Sequence, residues 1–340
     1  MNILKNKKIV IIMFIVILIT VSFIFFNKSL KHPLKSDKDI IINVKTGDSF
    51  YSLLNKLQEN NQINGLGIIK TYIKVTNTVV DVKPGEYNLH NDMSVKDIIN
   101  TLNNGLAIDV IDITIQEGST IDEIANKLEI NGMCAKDEFI KAVVAYPLPS
   151  YIKQSKIKRY DLEGFLFPDT YKFSKQSSPE EIISKMLERF EDVWQSTLKE
   201  ANIKVANEDV EKVITIASMI EKEAIVNEER AVIASVIYNR LNIDMKLKID
   251  ATVIYAMGYH VKGLSYENLE IESPYNTYII DGLPVGPISN PGIPSILGAL
   301  KPEKTDYLFY VLPKDGGNRH YFTNNDVDFM NKLEEFGYEP

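Results

Sequence analysis

The sequence predicts an α+β chain: an N-terminal transmembrane helix, small strand-helix modules, then a mixed α/β domain with a functional glutamate on a helix. Three observations predict this order. Residues 9–26 are an apolar run without charge, in which only Thr20 and Ser22 are polar. A strand, turn and helix pattern recurs at an offset of 71 residues. From Tyr160 the texture changes to aromatic motifs, long helical patterns and loops rich in Gly, Pro, Asn and Tyr.

The apolar run is long enough to cross a bilayer. Lys5, Lys7 and Lys8 precede it, and Phe25, Phe26, Asn27 and Lys28 offer no small-x-small cleavage site. An uncleaved anchor at residues 9–26 is therefore expected rather than a signal peptide, with residues 1–8 as a cytoplasmic head and 27–39 as a tether. Lys28, Lys31, Lys35 and Lys38 follow the run, so the lysine balance does not set orientation. The short basic head and the long folded domain behind the span favour a cytoplasmic N-terminus and an extracytoplasmic domain.

With 45% hydrophobic and 25% charged residues the composition is that of a globular chain, which excludes disorder as the default. The whole chain carries −8, yet the first 38 residues hold seven lysines and one aspartate, so the remainder carries −14. That charge argues against nucleic acid or anionic lipid as partners. Cys134 is the only cysteine and is expected in the core. His32, His90, His260 and His320 lack ligand spacing, so neither a metal nor another cofactor is expected.

The modules occupy residues 40–150. Residues 40–44 alternate as a strand, Thr46, Gly47 and Asp48 turn, and a helix follows over 49–59. Residues 113–117 repeat the strand and Gly118, Ser119 and Thr120 the turn. Ile121, Ile124, Asn126, Lys127 and Leu128 then match Phe50, Leu53, Asn55, Lys56 and Leu57. A weaker third copy has Ser94 capping residues 95–102. These modules look like LysM-type units, which implies binding of N-acetylated wall sugars; a structural spacer is the alternative. Tyr146, Pro147, Leu148 and Pro149 mark the expected boundary with a domain over 151–340.

In that domain Ser178, Pro179, Glu180 and Glu181 start a helix that runs through Trp194. A second helix, capped by Asn207, carries Val213, Ile216, Ala217, Ile220 and Ala224 at helical spacing. Glu221 and Glu223 fall on opposite shoulders of its apolar face, with Lys222 pointing away. Either glutamate could be half desolvated, which raises a carboxyl pKa and suits a general acid. Rim residues paired with Lys222 or Arg230 are the alternative. Asn227 caps a further helix to about Leu241.

The motifs at 163–171 (EGFLFPDTY), 217–224 (ASMIEKEA), 236–241 (VIYNRL), 250–255 (DATVIY), 275–278 (YNTY) and 282–292 (GLPVGPISNPG) stand in one order. With them the chain resembles the endolytic murein transglycosylase (YceG-like) family. The resemblance implies a single-pass membrane protein that cuts peptidoglycan glycan strands internally. Such a lytic transglycosylase leaves 1,6-anhydro-N-acetylmuramic acid ends and terminates strand elongation. It also implies Glu221, the first acid of IEKE, as the catalytic residue. Asp250, Thr252, Tyr275, Asn276, Thr277, Tyr278 and Asn290 are the expected substrate contacts, from loops whose side chains suit a carbohydrate. Lys248 and Ala251 depart from the family's usual Gln and Pro. Glycan strands are the expected partner, with cell-wall synthesis enzymes at the membrane as further candidates. The rival readings are a muramidase pairing Glu221 with Asp250 or Glu223, and a non-catalytic wall-binding scaffold.

Overall fold

The computed structural model describes residues 2–36, 38–45, 47–104, 110–259, 261, 263–314 and 316–338. Thr46 and His260 lie outside them. The chain forms two compact units, residues 1–111 and 112–340.

In the first unit α1 (Asn2–Lys31) is followed by β1 (Ile40–Val44), α2 (Phe50–Glu59), α3 (Leu66–Thr76), β2 (Gly85–Leu89) and α4 (Val95–Asn104). The expected apolar run falls on α1, but the side chains of residues 2–12, 14, 15, 19 and 23 lie outside the described set. Among the described residues no helix is long and apolar enough to cross a membrane. β1 and β2 pair antiparallel, Ile40 opposite Leu89 and Val44 opposite Gly85. The pleat turns Ile40, Val44, Tyr87 and Leu89 to one buried face. Against that face α2 lays Phe50, Leu53, Leu54 and Leu57, the i, i+3, i+4, i+7 stripe of an amphipathic helix. At Gly65, with φ of +66°, a side chain would also strike Ser29 of α1. Glycine is required there on both counts.

Strand β3 (Val110–Thr114) leads into the second unit, where α5 (Ile121–Ile130), α6 (Lys136–Ala145), β4 (Thr170–Ser174) and α7 (Pro179–Ala201) follow. The repeat is now visible as β-α-α-β twice over: β1, α2, α3, β2, and then β3, α5, α6, β4. Both first helices start with a reciprocal capping box, Ser49 with Ser52 and Thr120 with Glu123, again 71 residues apart. The third expected copy is the strand β2 with the helix α4, which shares β2 with the first copy. The expected boundary at 146–149 does not divide the chain, because the second copy is built into the second unit. Phe139 and Val143 of α6 are buried where that helix packs on α7, and β3 pairs with β4 beyond the boundary. β3 also lies earlier than expected. Residues 116–119 form a turn closed by Ser119 N–H donating to the Gln116 carbonyl at 3.2 Å.

The rest of the unit comprises α8 (Val210–Glu223), α9 (Arg230–Asn242), α10 (Asp250–Met257), α11 (Tyr266–Leu269), α12 (Ile293–Leu300), β5 (Phe309–Val311), β6 (Tyr321–Thr323) and α13 (Asp326–Glu335). Short 3-10 turns at Asn207–Asp209 and Asn227–Glu229 replace the expected Asn caps of α8 and α9. Every residue from Ile214 to Ile220 is buried. α8 is thus enclosed all round by α9, α10 and α12, rather than presenting one apolar face.

Thr120 accepts from Glu123 N–H at 3.2 Å while the Glu123 carboxylate accepts from Thr120 N–H at 2.8 Å. Thr120→Ala should lower the stability of the second unit by about 1 kcal/mol in urea denaturation. An unchanged midpoint would show that the cap contributes nothing.

Candidate active site

α8 stops at Glu223 because Ala224 leaves the helical region, with ψ of 128°. Glu221 and Glu223 therefore occupy its last turn, where the buried helix reaches open space. They face different surroundings. Glu223 lies on the wall of a cavity of about 710 Å³, together with Lys222, Asp250, Ala251, Ile254, Tyr255, Tyr259 and Ile288 from α8, α10 and the loops around them. Thr120, Asp122, Glu123 and Asn126 of the second repeat close the opposite wall. The Tyr310 hydroxyl donates to Glu223 Oε2 at 2.9 Å. Burial pushes the Glu223 carboxyl up to about 7, against the Tyr310 hydrogen bond and with a further push from Asp250.

Asp250 opens α10 and accepts from the Tyr278 hydroxyl at 2.5 Å. Two carboxyl groups in one cavity are thus each fixed by a tyrosine. Behind them Arg240 donates to the carbonyls of Leu308 and Leu247, both at 2.6 Å, and lies over the Phe309 ring.

Glu221 is not on the cavity wall. Its Oε1 lies 3.2 Å from Arg230 Nη1, with side chains 6% and 9% exposed, and its Oε2 accepts from Gly292 N–H at 2.9 Å. Arg230 also donates to Asn227 Oδ1 and to Ser295 Oγ. Glu221 thereby fastens the end of α8 to the starts of α9 and α12. Such a buried pair is a structural commitment, since removing one partner strands the other charge.

Beneath the cavity Glu163 is fully buried. Its carboxyl accepts from Ile121 N–H at 3.1 Å, Asn290 Nδ2 at 3.1 Å and Tyr255 Oη at 2.9 Å. Burial still dominates these donors and pushes Glu163 up to about 8. Sequence reasoning gave Glu163 no role, although a carboxylate beside Gly164-Phe165-Leu166-Phe167 was a signal of a buried acid.

Of the seven expected substrate contacts only Asp250 lines the cavity. Tyr278 acts on Asp250. Thr252, Asn276, Thr277 and Asn290 are fully buried and Tyr275 nearly so. Their polar atoms bond within the protein: Thr252 and Thr277 to each other, Asn276 to the carbonyls of Leu269 and Ile271, Tyr275 to Arg159 N–H, Asn290 to Ser119, Leu166 and Glu163. They shape the loops, and none of them lies on the cavity wall. Lys248 is exposed, with φ of +47°, while Ala251 does line the cavity. Cys134 is half-buried instead of in the core. Among the described residues no cluster of His, Cys, Asp and Glu could hold a metal ion.

A profile of the YceG-like family matches residues 42–335. The chain belongs to this family. A Bacillus subtilis protein named endolytic murein transglycosylase is 33% identical over 308 residues, covering 86% of this chain and 84% of the relative. A Streptococcus pneumoniae protein of the same name is 31% identical over 330 residues; the match covers 88% of this chain and 59% of that longer protein. A crystal structure of a YceG-like protein from Listeria monocytogenes superposes with a TM-score of 0.59 at 33% identity, over 88% of this chain and 100% of that one.

The Glu163 knot of this YceG-like chain has a measurable consequence. Its carboxyl ordinarily titrates near 4.5 and in the fold near 8, so between those values the folded chain holds more protons than the unfolded one. Stability should fall as pH rises across that window, by at most about 1.4 kcal/mol per unit from this group. Glu163→Gln should flatten the slope in denaturation series from pH 4.5 to 8. The same slope in both proteins would remove Glu163 as its source.

Proposed function

We propose that this chain is an endolytic murein transglycosylase, a carbon-oxygen lyase that cleaves the bond between N-acetylmuramic acid and N-acetylglucosamine within peptidoglycan strands. One observation carries the reading: a carboxyl poised near neutrality, Glu223, on the wall of a cavity large enough for sugar rings. The names of the relatives support the same reaction class.

In this reading Glu223 protonates the oxygen leaving C1 of N-acetylmuramic acid. The resulting carboxylate then takes the proton of that sugar's own C6 hydroxyl, which closes the 1,6-anhydro ring. No water and no cofactor take part. An intramolecular hydroxyl reacts at high effective molarity, so no second carboxylate is needed to activate a nucleophile. Asp250, held by Tyr278, stands by the developing positive charge at C1. The acid is Glu223 rather than Glu221, because Glu221 is buried against Arg230 and away from the cavity while Glu223 borders it.

Two further elements belong to the proposal. The run 9–26 anchors the chain, with the N-terminus cytoplasmic and the rest outside; the apolar side chains of Val16, Ile17, Val21 and Ile24 on α1 are all more than half exposed, as a lipid-facing helix requires. The LysM-like first unit adds affinity for glycan or positions the second unit near cell-wall synthesis enzymes.

Glu223→Gln should reduce cleavage of purified glycan strands by about a hundredfold to ten-thousandfold with little change in melting temperature. Glu221→Gln should instead act mainly by lowering the melting temperature. The reverse pattern would move the acid to Glu221. The rate should fall as pH rises through about 7, as Glu223 loses its proton. New ends should be lighter by one water than reducing ends; reducing ends would convict a muramidase that uses Asp250 as its second carboxylate. Strands bound but never shortened would leave a scaffold.

For the anchor, protease added to intact, wall-stripped cells should remove residues 40 onward. Protection until the membrane is broken would reverse the orientation.

A further inference from the structure

The main cavity continues past Lys222. A second pocket of about 340 Å³ adjoins it, and Glu123 and Lys222 belong to the walls of both. The rest of its wall includes Thr114, Gln116, Glu117, Ser119 and Lys127. Hydroxyl, amide, carboxyl and ammonium groups line it without an aromatic ring. Those groups match the hydroxyl and acetamido groups of a sugar.

The turn that forms this wall is held firmly. Gly118 N–H donates to the Asn290 carbonyl at 2.8 Å, Asn290 N–H donates to the Ser119 carbonyl at 2.9 Å, and Lys222 Nζ donates to the Gly118 carbonyl at 3.3 Å. A site fixed in this way loses little freedom on binding. Glu117 projects from the turn and is exposed. Among the described residues its carboxyl takes no hydrogen bond and no ion pair. Room is kept for it by Gly292, where an added Cβ would strike the Glu117 carboxyl. Partial desolvation of the carboxyl, with the nearby Glu221 charge, pushes it up, and Arg230 pulls it down. A carboxyl that holds its proton longer can donate as well as accept toward a neutral ligand.

We propose that this pocket is a second glycan subsite, holding a sugar on the far side of Lys222 from Asp250, with Glu117 as its hydrogen-bonding group. The inference rests on the proposed glycosidic cleavage and deepens it. An enzyme that cuts within a strand can hold sugars well beyond the broken bond, and two adjoining pockets meeting at Lys222 provide a path for the continuing strand.

The test uses the full chain, long uncross-linked glycan strands, and a tetrasaccharide too short to fill both pockets. Gln116→Trp fills the pocket from an exposed turn position, and Glu117→Ala removes the carboxyl. Each should lower the ratio of kcat/KM on long strands to that on tetrasaccharide, by about tenfold for the tryptophan and mainly through KM. Glu117→Gln, which still accepts and donates, should restore most of the ratio. An unchanged ratio in both variants, or equal losses on both substrates, overturns the subsite. Binding is followed separately in the Glu223→Gln background, where long strands should bind about tenfold more weakly once Gln116→Trp is added. Weakened binding with no cleavage by the unaltered enzyme would sink the catalytic reading and keep the subsite; equal binding would sink the subsite alone.

Discussion

The cavity depends on a buried carboxyl that has no place on its wall. Glu163 joins the first turn of α5 through Ile121, the body of α10 through Tyr255 and the loop before α12 through Asn290. These three segments form the wall, the floor and the edge around the end of α8. A buried polar group costs free energy unless its partners are in place, so the knot forms only when all three segments are docked together. That requirement makes the cavity a product of the whole second unit rather than of any one motif.

Glu221 and Glu223 differ by two positions and share a helical turn, yet their chemistry diverges. The helix end supplies the reason. Within the last turn the unpaired carbonyls carry partial negative charge, which disfavours a carboxylate nearby. Glu221 meets that field with a guanidinium at 3.2 Å and an amide N–H at 2.9 Å. Glu223 has a tyrosine hydroxyl, with Asp250 adding negative charge. One is compensated and becomes a fastener; the other stays ready to hold a proton.

Local signals were legible in the sequence. Ser178 was readable as a cap, β1 as a strand, and the repeat by its spacing, because each is decided by neighbouring residues. The partners of the buried carboxyls were not legible. Glu163 reaches Ile121 across 42 positions and Asn290 across 127, and helical periodicity says nothing of such distances. Periodicity also left Glu221 and Glu223 undecided, since it assumes one buried face and α8 is enclosed on every side. The side chains of Tyr275, Asn276 and Thr277 read as sugar contacts for a related reason. Loops that run through a protein interior must satisfy their own backbone groups, and polar side chains there are spent on that task.

The two copies of the β-α-α-β repeat have come to different ends. The first keeps its own hydrophobic core, with Phe50, Leu54, Ile69 and Tyr87 at its centre. The second has surrendered its first helix N–H to Glu163 and its turn to Asn290 and Lys222. Duplicated segments normally diverge most freely where nothing leans on them. Here none of the hydrogen bonds described for the cavity is made by the first copy. The second is locked to its register, because sliding it by one residue would unseat the acid beneath the cavity.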